Sequence, residues 1–232
     1  WAPVDKIVEE LQHFVDRGNF KAVKMRVGSG DGTLVHSVAR VKAAREGLAK
    51  DIDIMCDAHG TFSVAEAKRF CRQVAECNIG WLEEPVVADD KRGMAEVRAS
   101  SDVPISTGES EFTRFAFRDL AELRACDIFQ PDLSICGGIT EAMRIEAIAS
   151  AYQLRYAPHL WGGALTFAAG LQTMVVASTG FIVEYSLGAN PMLHELAIED
   201  FEVIDGHLDV PERPGLGVTV NQKFVETYRV KN

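Results

Sequence analysis

Apolar positions along the chain switch repeatedly between a helical and a strand period. Residues 4–17 (VDKIVEELQHFVDR) set Val4, Ile7, Val8, Leu11, Phe14 and Val15 along one helical stripe, which Gly18 ends. Residues 20–28 (FKAVKMRVG) then read as a strand closing on glycine, and 33–49 as a helix with Val35, Val38, Val41 and Leu48 in register. IDIMCD at 52–57 is a short apolar run with a polar end. Ser63 heads the next helix, to about Asn78, with Glu66 completing a capping box. IGWLEEP at 79–85 reads as strand and turn. Helices at 89–100, 112–124, 139–152 and 163–178 lead in turn to the strands VPIST, CDIFQPD, LRYAPH and GFIVEYS. The pattern predicts seven strands and seven helices, opening on a helix. Strands alternating with helices argue for βαβ units around a parallel sheet, an α/β fold.

The rhythm stops after residue 186, so 1–186 read as the barrel and 187–232 as a tail. Asp205-Gly206, between alternating apolar residues, predicts a hairpin in that tail. PGLGV at 214–218 and GSGDG at 28–32 read as a loop and a turn; the latter lacks GxGxxG spacing and a phosphate-binding lysine. CGG at 136–138 opens a helix, where an anion site and close backbone packing are equally good readings. Phe112, Phe115 and Phe117 read as core, and His13, His36, His194 and His207 as surface or packing residues.

Composition narrows the partners. Of 232 residues 47% are hydrophobic and 25% charged, as in ordinary globular proteins, and one α/β barrel suits the length. Twenty-four basic against 34 acidic residues leave a formal charge of −10, which argues against nucleic acid and anionic membranes as partners. No apolar run reaches the roughly 18 residues a membrane span needs. Cys56, Cys71, Cys77, Cys126 and Cys136 are odd in number and form no CxxC pair, so reduced thiols in a cytoplasmic protein are the simplest reading.

In a parallel barrel the chemistry gathers where strands finish. The polar residues there are Lys24, Arg26, Asp57, His59, Glu83, Glu84, Glu109, Asp132, His159 and Glu184. From Asp57 through Glu83, Glu109 and Asp132 to His159 the steps are 26, 26, 23 and 27 residues, one barrel unit each, so these side chains should ring one mouth. A single carboxylate at a strand end is as readily a cap for the following helix. Asp57, Glu83 and Glu109 come from three consecutive strands, and converging carboxylates repel unless a cation neutralises them; hard oxygen ligands point to Mg²⁺. Asp132 and His159 make an acid/base pair in which the carboxylate orients the ring. Lys24 and Arg26, two apart on a strand, share a face suited to an anionic substrate, unless they snorkel to solvent at a strand edge.

The ordered set KMR, CDAHG, WLEEP, TGES, QPDLSICGG, APHLWGG and IVEYS resembles the barrel domain of the enolase superfamily. Its mandelate racemase subgroup, and the acid-sugar dehydratases within it, are the nearest likeness. The resemblance implies a TIM-like (β/α)7β barrel, here without its first strand and without the N-terminal α+β capping domain toward which the tail hairpin would pack. It implies Asp57, Glu83 and Glu109 as Mg²⁺ ligands, Asp132–His159 as the catalytic dyad, and Glu184 and Lys24 as catalytic groups at the substrate carboxylate. Glu184 would be kept protonated, and a sugar acid of 2R configuration would lose its α-proton to His159. Two positions depart from the subgroup. Arg26 stands where a second lysine often serves as base, so it should bind rather than abstract. His59 stands where asparagine is frequent, and should contact substrate or the metal's surroundings. A racemase, epimerase or cycloisomerase on the same site, and a non-catalytic barrel fragment, are the competing readings. The expected partners are a small sugar acid and either a missing capping segment or a second copy of the chain.

Overall fold

The computed structural model describes residues 2–28, 30 and 32–230. Of the predicted turn at 28–32, Ser29 and Asp31 lie outside the described residues; Gly28 and Gly32 have φ of 102° and 109°.

Six strands form one parallel sheet in sequence order: β1 (Ala22–Arg26), β2 (Asp53–Asp57), β3 (Leu82–Glu83), β4 (Ile105–Thr107), β5 (Ile128–Phe129) and β6 (Arg155–Tyr156). Each is followed by a helix or enters one, from α1 (Ile7–Gly18) and α2 (Leu34–Gly47) through α3 (Val64–Val74), α4 (Lys91–Ala99), α5 (Thr113–Glu122) and α6 (Gly138–Ala151) to α7 (Ala164–Val176). The capping box at Ser63 is present: its hydroxyl accepts from Glu66 N, and the Glu66 carboxylate accepts from Ser63 N. α3 then tightens into a 3-10 turn over Ala75–Cys77, which carries it to the predicted end.

Strand alternation sorts side chains between two cores. Val23, Met25, Ile54, Cys56, Leu82, Ile105 and Phe129 face outward and join the helices in one apolar cluster, with Ile7, Leu11 and Val15 of α1 among its members. Met55, Trp81, Ile128 and Ala157, with Ala22, Phe181 and Ile182 against them, fill the inside. Lys24, Arg26, Asp57 and Glu83 share strand parity with that inner set, and sit at or near the carboxyl ends of their strands. Register aligns them: Arg26 pairs with Asp57, and Asp57 with Glu83.

The seventh strand predicted at 180–186 does not form. Gly180 makes a single parallel bridge with Tyr156, and no further ladder follows. Phe181 nevertheless packs edge-on against Trp81 across the interior, with ring centroids 6.1 Å apart, so the segment closes on β3 through side chains where it lacks backbone pairing. The expected core role fails for Phe112 and Phe115, which are 68% and 53% exposed; only Phe117 is buried. Phe115 instead lies under the guanidinium groups of Arg114 and Arg118. Val35, placed on the α2 stripe by sequence, is also exposed, while Val38, Val41 and Ala44 are buried.

The tail begins with a short helix, α8 (Pro191–His194), and its hairpin forms as predicted, from β7 (Val203–Ile204) and β8 (His207–Leu208). Asp205 and Gly206 both take positive φ, the geometry that a two-residue type I′ turn requires. Gly206 N donates to Gly18 O, which ties the turn to the end of α1. A last helix, α9 (Gln222–Tyr228), packs through Phe224 against Ala164, Leu196 and Ala197. All five cysteines are free and buried, and no described helix is long and apolar enough to cross a membrane.

Candidate active site

Each charged residue predicted at a strand end lies at the same mouth. Asp57 and Glu83 close β2 and β3 and are 2% and 1% exposed. Asp57 Oδ1 accepts from His59 N at 2.8 Å and its Oδ2 lies 3.0 Å from Arg26, while Trp81 Nε1 donates to Glu83 Oε2 at 3.1 Å. Glu109 follows β4 through Gly108, whose φ of 140° turns the chain. A Cβ there would stand 2.7 Å from Phe117 and 3.0 Å from the Gln130 backbone. Gly108→Ala should therefore cost about 1–3 kcal/mol of stability and displace the Glu109 carboxylate; urea denaturation of the variant measures the first, and an unchanged midpoint would show that the turn tolerates a side chain.

Past β5 and β6 the backbone pairs once more, Asp132 with His159. That pairing seats the dyad: His159 Nδ1 donates to Asp132 Oδ2 at 2.8 Å, and Ser134 secures Oδ1 through its backbone N–H and hydroxyl. The other ring nitrogen, Nε2, faces Glu109 Oε2 at 3.5 Å. Burial opposes the charge on both partners. It is outweighed at Asp132 by the hydrogen bonds from His159 and Ser134, which hold the carboxyl below its ordinary value. At His159 it is outweighed by the bond to Asp132 and the charges of Glu184 and Glu109, which raise the imidazole.

Lys24 donates to both oxygens of Glu83 at 2.8 Å and reaches Glu184 at the same distance. Burial disfavours its charge, but Glu83, Glu184 and Asp57 together push its pKa far up, so it stays an ammonium. Glu184 departs from the protonated state expected of it. Burial would raise its pKa, yet Lys24 and His159 and a hydrogen bond donated by Leu160 N lower it, so it is a carboxylate. A cavity of about 240 Å³ opens among Lys24, Arg26, Asp57, His159, Trp161 and Glu184.

The site holds more carboxyl groups than Lys24, Arg26 and His159 can neutralise. Burial, then Glu83, raises Asp57 to about 6 despite Lys24 and Arg26. Burial, then Glu109, Glu83 and Asp57, raises Glu84 to about 8. Glu84 Oε1 is buried and has no hydrogen-bond partner among the described residues. Crowded oxygen donors of this kind fit a hard divalent cation. Among the described residues, however, it is His59, Glu84 and Glu109, not the expected Asp57, Glu83 and Glu109, whose ligand atoms all lie within 4.8 Å of one another. His59, expected to contact substrate or the metal's surroundings, has positive φ (47°) and turns its ring, largely exposed, to within 3.3 Å of Glu109. Sequence reasoning placed Glu84 at a strand end without giving it a task, and missed Trp81, Ser134 and the Leu160 N–H as supports. The EE doublet in WLEEP was the only signal for the first.

Fold and site together define a parallel α/β barrel domain with an acidic, imidazole-bearing mouth. Residues 6–224 match the model of the enolase C-terminal domain-like family, and the chain belongs to that family. It is 31% identical to the arabinonate dehydratase of Saccharolobus solfataricus, over 99% of this chain and 60% of the relative. To the D-galactarolactone cycloisomerase of Agrobacterium fabrum it is 30% identical, over 98% of this chain and 62% of the relative. The crystal structure of an enolase from Bradyrhizobium complexed with magnesium and mandelic acid superposes with a TM-score of 0.87 at 29% identity, covering 99% of this chain and 60% of that one. The chain thus spans about 60% of the length of these relatives.

Proposed function

We propose that the chain is the catalytic barrel of a Mg²⁺-dependent acid-sugar dehydratase, converting an aldonate or aldarate to a 2-keto-3-deoxy acid. The observation that carries this reading is the His159 ring, anchored at Nδ1 by Asp132 and presenting Nε2 beside a buried carboxylate cluster. Asp57, Glu83 and Glu109 would hold Mg²⁺, which when bound supplies Lewis-acid polarisation of the substrate carboxylate. The names of the dehydratase relatives and of the magnesium complex support the assignment.

His159 Nε2 takes the α-proton, breaking the C–H bond and leaving an enediolate, while Asp132 holds the tautomer and stabilises the imidazolium. Lys24 and Arg26 place fixed positive charge where the carboxylate oxygens gain negative charge. Glu184 is a carboxylate in this arrangement, so its part is to hold Lys24 in place. The imidazolium then returns its proton to the departing β-hydroxyl; the C–O bond breaks, water leaves, and the enol product becomes a ketone.

A two-base racemase is disfavoured by two residues. Arg26 does not deprotonate at working pH, and Lys24 is held as an ammonium by Glu83 and Glu184. Substrate recovered after partial turnover in D₂O should accordingly keep its configuration; rapid inversion, read by chiral chromatography, would restore a base on the second face. A cycloisomerase on the same groups is the second reading, favoured by the Agrobacterium relative. Mass spectrometry separates the two, since dehydration loses one water and cycloisomerisation is mass-neutral.

The complete enzyme would add a capping segment over Trp161 and the cavity, in keeping with the greater length of the relatives. A cytoplasmic setting fits the five unpaired cysteines. The decisive experiment screens aldonates and aldarates with the full-length protein and Mg²⁺ for 2-keto-3-deoxy product. A panel yielding none, or yielding only isomers, rejects the dehydratase reading.

A further inference from the structure

We propose that His59, Glu84 and Glu109 form a second cation position that takes Zn²⁺, beside the Asp57–Glu83–Glu109 set and sharing Glu109 with it. Among the described residues this is the group of three whose ligand atoms all lie within 4.8 Å of one another. His59 Nδ1 stands 3.3 Å from Glu109 Oε1 and 3.9 Å from Glu84 Oε2. Ligands about 2.0–2.2 Å from a tetrahedral ion lie roughly 3.3–3.6 Å apart, so these three need little movement to share one. Asp57 and Glu83, by contrast, are already engaged by Arg26 and Lys24.

A second feature points to a ligand independently of the spacing. The Glu84 residue is only 4% exposed, and its Oε1 has no hydrogen-bond partner. A buried carboxyl oxygen in that condition is costly unless a cation or donor meets it. Lys24, the ammonium at the mouth, spends its contacts on Glu83 and Glu184. The His59 side chain, 57% exposed, leaves an approach from solvent and room for a water as fourth ligand.

Donor chemistry selects the ion. An imidazole with two carboxylates suits Zn²⁺, whereas Mg²⁺ prefers an all-oxygen shell. Because Glu109 belongs to both sets, Zn²⁺ at His59 draws that carboxylate away from the other position and weakens Mg²⁺ there. The position is thus a zinc-sensitive brake on the metal site. This last consequence rests on the function proposed above; the zinc site itself does not.

Isothermal titration of Zn²⁺ into the full-length protein in excess Mg²⁺ tests it. One Zn²⁺ per chain is expected. Even residues that only support a zinc ligand alter affinity by about 10- to 100-fold, so Glu84→Gln and His59→Gln should each weaken binding by at least about tenfold. Asp57→Asn should not weaken it and, by relieving the Mg²⁺ competition for Glu109, should tighten it. Co²⁺ in place of Zn²⁺ adds a visible spectrum that His59→Gln should alter. Circular dichroism confirms folding, and with two ligand variants the loss of one to misfolding leaves the other decisive. Absence of Zn²⁺ binding, or binding lost in Asp57→Asn and kept in Glu84→Gln, overturns the inference. A protein with no dehydratase activity but this zinc pattern would reject the proposed function alone.

Discussion

Replacing His159 with Asn should lower kcat of the full-length protein by about 10²- to 10⁴-fold, the span expected when a general acid–base group is lost. The expectation follows from where the ring stands. Nδ1 is committed to Asp132, so Nε2 is the nitrogen left to take a proton, and it faces the carboxylates rather than solvent. Asparagine keeps a donor toward Asp132 but has no basic atom to replace Nε2. KM should move far less than kcat, because in the proposed mechanism the substrate carboxylate is bound by Lys24 and the metal site. The pH profile gives a second readout. The imidazole pKa is raised by Asp132, Glu184 and Glu109 over the opposing effect of burial, so the acid limb of kcat/KM should lie above the ordinary histidine range. Asp132→Asn removes the leading upward influence and should shift that limb downward. A His159→Asn protein that keeps near-full turnover would remove the residue from the chemistry.

Much of this site was legible because strand parity and barrel period are both written in side-chain order. Val23 and Met25 pack under helices, so Lys24 and Arg26 must face inward; Leu82 does the same for Glu83. One unit of spacing then sets each polar residue beside the last, and register turns that order into adjacency, as with Arg26, Asp57 and Glu83. What stayed hidden depends on neighbours remote in sequence. The apolar run at 180–186 looks like a strand, but a strand needs a ladder and this one meets only Tyr156 through Gly180. Phe115 reads as core until two arginines are seen to shield it. The charge state of Glu184 was equally unreadable, because it is fixed by Lys24, 160 positions away along the chain, and by His159. Glu84 shows the limit most clearly. As one half of an EE doublet it gives no sign that burial and three other carboxylates bear on it.

Removal of divalent cations should abolish turnover, with Mg²⁺ restoring it, and should also leave a signature in stability that needs no substrate. The carboxylates of Asp57 and Glu84 have folded-state pKa values above their ordinary ones, about 6 and about 8. A group raised in this way favours the folded chain while both states are protonated. That contribution is lost as pH rises from the unfolded value through the folded one. His159, also raised, acts with the same sign. Asp132 and Glu184, both lowered, contribute in the opposite sense, but their effect is complete above the ordinary carboxylate range. Between pH 5.5 and 8.5 these resolved shifts therefore agree, and Tm of the metal-free protein should fall across that window. Mg²⁺ bound by Asp57, Glu83 and Glu109 as proposed would favour the ionised carboxylates, so at saturation it should raise Tm most at pH 8.5 and least at 5.5. Glu109→Gln takes away one ligand and one source of repulsion at once. It should flatten the metal-free pH dependence, diminish the Mg²⁺-induced rise and leave little turnover. Scanning calorimetry at the two pH values, with and without Mg²⁺, makes the comparison. A Tm that is independent of Mg²⁺ at pH 8.5, or turnover that survives exhaustive chelation, would show that these oxygens do not serve a common ion.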